Sequence, residues 1–452
     1  MPTVVERLGE FLNSHAENGV PAEAIHEAKR LLLNQLKASV GASQQPVVRL
    51  LSAQAPPPPA DGRSARMLWL GGSTTPAHAA MVNGALFEVL DFHDTYIPTY
   101  LHAVSAIAPA VLAAAEAGHQ TGAEVLGALA LGIEAELACA EILMPTGYFR
   151  GFVPLGLVGG VGAAAACAVL GRLDESQTRH ALAVAMCTAG GVYASVGSMT
   201  LPYITALQAR NGLEACQMAQ AGLEGPITAF EGDKGMLESY SDEKAEKIDG
   251  VLSELGSTWR IHGQSYKTMP TETITHAPLE CTLELLGRKS GRRVDAMRFG
   301  VCPIVVSIAD ERFERFGIPS SDLEARFDLR FCVAAAWIRG RFTLAEMAPD
   351  AYEDNEILDL RRRVELVADQ NRPTFDGCWL EIRYTDGSTD RVNIDAFAGT
   401  VANPLSDGRL RDVFVATASE VLDPSRADQI ADAVWGLSSA ADVGEMTSLC
   451  VL

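Results

Sequence analysis

Through most of the first 255 positions, apolar residues recur three and four apart, and that spacing predicts helices. Thr3-x-x-Glu6 reads as a capping box opening a first helix through Leu12. Pro21 suits a first helical position, and the pattern through Leu31, Leu32 and Leu36 runs out near Gly41. Pro56–Pro59 can be neither helix nor central strand and reads as a stiff exposed connector. Thr75-Pro76 opens a helix that leads to Leu90, Pro98 breaks the backbone beyond it, and a small-residue helix starts near Ser105. Thr121-x-x-Glu124 and Asp174-x-x-Gln177 are two more capping boxes, for helices to about Met144 and Cys187. The run Val153–Leu170 carries no charge. Rich in Gly and Ala, it reads as a buried helix and not as a membrane span. Further helical patterns cover Thr205–Leu223 and Asp242–Leu255.

The period changes after Arg292. Val294–Val301, Ala325–Phe331 and Cys378–Tyr384 alternate as strands do, and Asp386-Gly387 joins the last of these to Thr389–Ile394 as a hairpin. Helices resume at about Leu410–Val421 and Ser425–Leu437. The expected fold class is mainly α with an α+β second domain. An all-helical domain covers residues 1–266, completed by C-terminal helices in 399–452, and an α+β domain covers 267–398. A chain of 452 residues is too long for one simple core, in keeping with two domains.

Composition narrows the function. Net charge of −21 argues against nucleic acid and against an anionic membrane surface as partners. An anionic substrate would need a local cluster of Arg, Lys and His. The nine cysteines are scattered with no C-x-x-C pair, which fits a reducing compartment and not a disulfide framework or zinc ribbon. No basic-then-apolar signal segment opens the sequence, so a cytoplasmic location is expected.

Asp91, His93, Asp94, Thr95 and His102 crowd the junction between two apolar helices, a setting in which proton affinities shift. The alternative is that Asp94, Thr95 and Ser105 only cap helices. Leu90-Asp91-Phe92-His93-Asp94-Thr95, then His102, Ser105 and Pro109, resembles the Leu-Asp-Phe-Asp-Asp-Thr…His-Pro-Ser signature of the MmgE/PrpD family. That family includes 2-methylcitrate dehydratase, cis-aconitate decarboxylase and iminodisuccinate epimerase. Gly151-Phe152-Val153-Pro154, Ala209-Arg210-Asn211-Gly212, Tyr266-Lys267-x-x-Pro270…His276-Ala277 and the segment 325–334 resemble further family motifs in the same order. The resemblance implies a helical domain with a smaller α+β lid domain, a homodimer, and no metal or organic cofactor.

Lys267 and His276 bracket Pro270. A cation beside an imidazole suits a carboxylate substrate, the imidazole moving a proton near neutral pH. Taken alone, Lys267 could be solvated and His276 a helix cap; the family spacing favours the site. The resemblance makes His102 the second proton carrier, with one extra residue between Thr95 and His102. Asp91 and Thr95 match pocket positions: Asp91 to orient a histidine or act as base, Thr95 to donate to a carboxylate. Arg210 and Tyr266 join Thr95 as substrate-binding candidates. His93 replaces a family Asp. With Asp94 beside it metal binding is conceivable, but neighbours on a helix point apart, which weighs against it. The glycines Gly156, Gly159, Gly160 and Gly162 suggest a dinucleotide loop, yet no strand precedes them and close helix packing explains them better. Asn83 and Tyr203 are possible pocket residues, with ordinary core packing the preferred reading for both.

Two positions depart from the family. Val153 stands where it has a pocket histidine, and Leu201 where it has a lysine. Each lost charge-assisted bond to a carboxylate is worth about 1.5–3 kcal/mol, so a tricarboxylate should bind poorly and a smaller or partly apolar acid better. The leading expectation is a cofactor-independent lyase dehydrating a small hydroxy-di- or tricarboxylate. An epimerase and a decarboxylase are the alternatives, and a non-catalytic organic-acid binder is the reading outside enzymology. Any catalytic account needs Asp91, His102, Lys267 and His276 to come together from distant parts of the chain.

Overall fold

All three capping boxes form, each with its reciprocal hydrogen bond: Thr3 with Glu6, Thr121 with Glu124, Asp174 with Gln177. The computed structural model describes residues 2–287 and 291–452. Contacts divide the chain into two compact units. One comprises Met1–Val89, His93–Gln264 and Ser406–Leu452, the other Leu90–Phe92 and Ser265–Leu405.

The first unit is helical and is built around Pro154–Leu170, in which every residue but Val169 is buried. A helix that is apolar all round belongs in the middle of a bundle. It packs against Val104–Gly118, Gly122–Leu143, Glu175–Cys187 and Thr200–Gln220. Glycine and alanine set the spacing. A Cβ on Gly212 would lie 2.7 Å from both Ala164 N and Gly160 O. Gly156 and Gly162 likewise face neighbouring backbone and side chains, so the glycine-rich run is a packing surface and not a phosphate loop. No helix among the described residues is long and apolar enough to cross a membrane. The late helices Asp407–Ala418 and Pro424–Trp435 belong to this unit, where Asp407 takes an ion pair from Arg30.

Some helix limits differ from expectation. The first helix continues to Asn18, its last turn carried by residues that stay solvated, and Gly19 at φ 94° stops it. The helix expected over Asp242–Leu255 is confined to Glu246–Leu252. The one expected over Thr205–Leu223 begins earlier, at Thr200, and ends at Gln220.

The second unit carries a four-stranded sheet in the order Val364–Ala368, Val294–Val301, Cys378–Tyr384, Thr389–Ile394. The first pair is parallel and the other two antiparallel. Three of these strands keep the bounds their alternation predicts. The hairpin turn is closed by Gly387 at φ 83° and by Asp386, whose carboxylate accepts from Ser388 N. The helix His276–Leu286 packs on the hairpin strands and on the helix Leu329–Arg339.

The strand expected at Ala325–Phe331 is a correction: the segment is helical. Asp322–Arg326 ends one short helix, and Asp328 caps the next by accepting from Phe331 N at 2.9 Å. Every residue from Ala325 to Leu329 is buried, so both parities of the apparent alternation face protein. A local cap therefore outweighs a period-two pattern that no solvent face enforces.

Candidate active site

Thr75 caps the helix Pro76–Glu88, with Pro76 in its first turn, and every residue from Ala79 to Glu88 is buried. The chain then turns sharply. Asp91 adopts φ 47°, a left-handed conformation that Asp tolerates better than most residues. Within the second unit, Lys267 Nζ donates to the Asp91 main-chain oxygen at 3.0 Å and to its carboxylate. Both side chains are buried, at 1% and 8% exposure. Arg326 Nη1 donates to Leu90 O at 2.8 Å and to Pro270 O at 2.6 Å. Burial draws the Arg326 guanidinium below its usual range, opposed by the charges of Asp322 and Asp91. Thr271 completes the clamp by donating to Arg326 O at 2.8 Å.

His276, also in this unit, is fully buried and begins its helix; the cap is Thr275, so the capping reading of His276 falls. Its Nδ1 lies 3.1 Å from Glu272 O. A carbonyl can only accept, so Nδ1 carries the proton and Nε2 the lone pair of the neutral ring. Tyr266 is buried in an extended pair of residues, its N–H donating to Gly399 O at 2.8 Å. Gly399 sits at φ 109°, and a Cβ there would be 2.1 Å from Tyr266 O.

The first unit holds the other group. His102 Nδ1 is 2.8 Å from Asp94 O and 3.3 Å from Thr95 Oγ1. The same argument puts the proton on Nδ1 and the lone pair on Nε2. The His93 ring stands edge-on to His102, with centroids 4.1 Å apart, and His93 Nε2 lies 3.8 Å from Glu88 Oε2. Glu88, His93 and His102 each offer one ligand atom to a cluster spanning no more than 4.8 Å. Asp94 is held by Gln35, whose Nε2 donates to its carboxylate at 3.1 Å and to Ser105 Oγ at 3.0 Å. Asp94 and Thr95 are extended and Ser105 lies inside Val104–Gly118, so none of the three caps a helix. Glu136 is fully buried; burial, then the charge of Asp94, pushes its carboxyl well above the usual range. Gly162 makes room for it, since a Cβ there would be 2.9 Å from Glu136 Oε2.

The structure thus joins Asp91 to Lys267, and Thr95 to His102. Arg210 is set against Glu214 at 3.6 Å and Met81 Sδ at 3.9 Å. Val153 caps Pro154–Leu170 and donates its N–H to Gly191 O at 3.0 Å. Leu201 is half-buried in the first turn of Thr200–Gln220. Asn83 is a core residue, bridging Leu68 N and Arg66 O at 2.9 Å each. For Tyr203 the core reading is corrected: the residue is exposed. Sequence reasoning gave no role to Glu88, Gln35, Glu136 or Arg326. Glu88 carried a signal, an acid at the end of a mostly apolar helix. Gln35 and Glu136 carried none, because their partners lie 59 residues away or are contacts of the fold.

Residues 6–249 match the MmgE/PrpD N-terminal domain and residues 269–437 the MmgE/PrpD C-terminal domain. Similar curated proteins include the cis-aconitate decarboxylase of Mus musculus, 28% identical over 387 residues, covering 83% of this chain and 78% of the relative. The human cis-aconitate decarboxylase is 27% identical over 384 residues, with 83% and 79% covered. That of Aspergillus terreus is 25% identical over 475 residues, with 99% and 95% covered.

Proposed function

The chain belongs to the MmgE/PrpD family and is a lyase; we propose that it is a cofactor-independent decarboxylase of a small carboxylic acid carrying fewer charges than cis-aconitate. The observation that carries the reading is the anchoring of His102, whose Nδ1 is fixed on the Asp94 carbonyl at 2.8 Å. An imidazole so held is a proton carrier with one working nitrogen. In the proposed step the carbon–carboxylate bond breaks and CO2 departs. The electron pair of that bond stays with the substrate and takes a proton from the imidazolium, which is reloaded from water. Thr95, beside His102 in the helical unit, holds the carboxylate that remains. His276, held in the same tautomer, and Lys267, positioned by Asp91, are the proton carrier and the cation that the second unit offers. Tyr266 and Arg210 stay substrate-binding candidates, Arg210 beside Glu214 at 3.6 Å.

The substrate limit follows from Val153 and Leu201, apolar side chains at two positions where the motifs this chain resembles carry a histidine and a lysine. A homodimer and a cytoplasmic location complete the proposal. The test is a panel of small carboxylic acids labelled with carbon-13 at each carboxyl in turn. Release of labelled CO2 from one position supports the reading. Loss of water with all carbons retained would make the protein a hydro-lyase, and efficient turnover of cis-aconitate at low concentration would remove the substrate limit.

A further inference from the structure

We propose that Glu88, His93 and His102 form a binding site for a divalent transition-metal ion. Two imidazole nitrogens and one carboxylate oxygen converge within 4.8 Å of one another, all inside the helical unit. Around a tetrahedral ion with bonds of about 2.1 Å, ligand atoms lie roughly 3.4 Å apart. The 3.8 Å between His93 Nε2 and Glu88 Oε2 needs to shrink by only a few tenths of an ångström.

The surroundings suit a ligand set. The His102 ring is oriented by its Nδ1, 2.8 Å from the Asp94 carbonyl, as metal-bound histidines are oriented by a backbone carbonyl. Glu88 and His93 are buried while His102 is half-buried, so one side stays open for water or an exogenous anion in a fourth position. Two nitrogen donors favour zinc, cobalt or nickel over magnesium or calcium. The objection that neighbours on a helix point apart does not reach this set. Glu88 ends the helix Pro76–Glu88, and the two histidines lie in the chain beyond it.

Binding stands independently of the proposed reaction. The consequence for activity rests on it: an ion on the His102 ring stops that ring from carrying the substrate proton, so the loaded protein is inhibited until a chelator removes the metal.

The experiment titrates the metal-stripped full chain with cobalt(II), following the visible ligand-field bands. One equivalent should bind, zinc should displace it, and His93→Asn and Glu88→Gln should each weaken binding about 100-fold or more, above the range seen for second-shell changes. X-ray absorption of the cobalt-loaded wild type should count two imidazoles, a readout that does not depend on either variant folding. Bands that fail to appear, affinity unchanged in both variants, or fewer than two imidazoles would each overturn the site. Chelator-reversible loss of turnover supports the inhibitory consequence. Binding with turnover unchanged would sink that consequence alone.

Discussion

Lys267 grips Asp91 twice, at the main-chain oxygen 3.0 Å away and at the carboxylate, while Asp91 is bent back at φ 47°. The ammonium thus pairs a buried charge and fixes a strained turn. Removing one partner of such a pair strands the other charge, which typically costs about 3–5 kcal/mol. Lys267→Met should therefore destabilise the protein by about that much in denaturant unfolding. Asp91→Asn, which keeps an oxygen for the lysine and tolerates the turn, should cost less. The double variant should fall short of the sum of the two. Strict additivity would mean that the pair is not coupled in solution.

Buried carboxyls give stability a pH dependence of definite sign. Burial raises Glu134 from 4.5 to about 7, against hydrogen bonds from the Arg260 and Ile261 backbone and the Arg260 charge, which lower it. The folded chain holds this proton more tightly than the unfolded chain does. The contribution is therefore full below pH 4.5 and is lost as pH rises to about 7. The loss is on the order of 3 kcal/mol. Glu134→Gln can still accept from Ile261 N and should flatten the fall in melting temperature across that window. An equally steep fall in the variant would assign the slope to other groups.

If His102 and His276 carry protons, glutamine at either position should lower kcat by about 10²–10⁴ and leave KM nearly unchanged. Circular dichroism and melting temperature would check that the fold survives. A variant with wild-type kcat would take its histidine out of the mechanism.

Val153 and Leu201 are proposed to exclude a third carboxylate. Val153→His with Leu201→Lys should tighten a tricarboxylate by about 10- to 150-fold for each charge-assisted bond restored. Competition binding with cis-aconitate and a dicarboxylate reads this out. Equal gains for both acids would mean a general charge effect and not a restored subsite.

What the sequence made legible follows a physical line. Capping boxes and the Asp-Gly hairpin are local chemistry, and the structure has them where the residues stand. Strands with one wetter face were legible for the same reason: Cys378–Tyr384 alternates in burial along its whole length. Ala325–Phe331 misled because its surroundings bury both parities, leaving Asp328 to decide for helix. In the site, Asp91 and Lys267 could be nominated from motif spacing, but their ion pair is closed across 176 residues. Gln35 behind Asp94 and Arg326 behind Leu90 come from folds of the chain that no local pattern encodes.

In the proposed reaction an anchored imidazole delivers one proton to carbon as CO2 leaves. The most direct test is the reaction in deuterated water, with the product read by proton and carbon NMR for the wild type and for His102→Gln. The account predicts one deuterium per product molecule at a single carbon, one CO2 lost per turnover, and slow or absent turnover in the variant. Exchange at carbon with all carboxyls retained, or binding of the acid with neither exchange nor carbon loss, would contradict it.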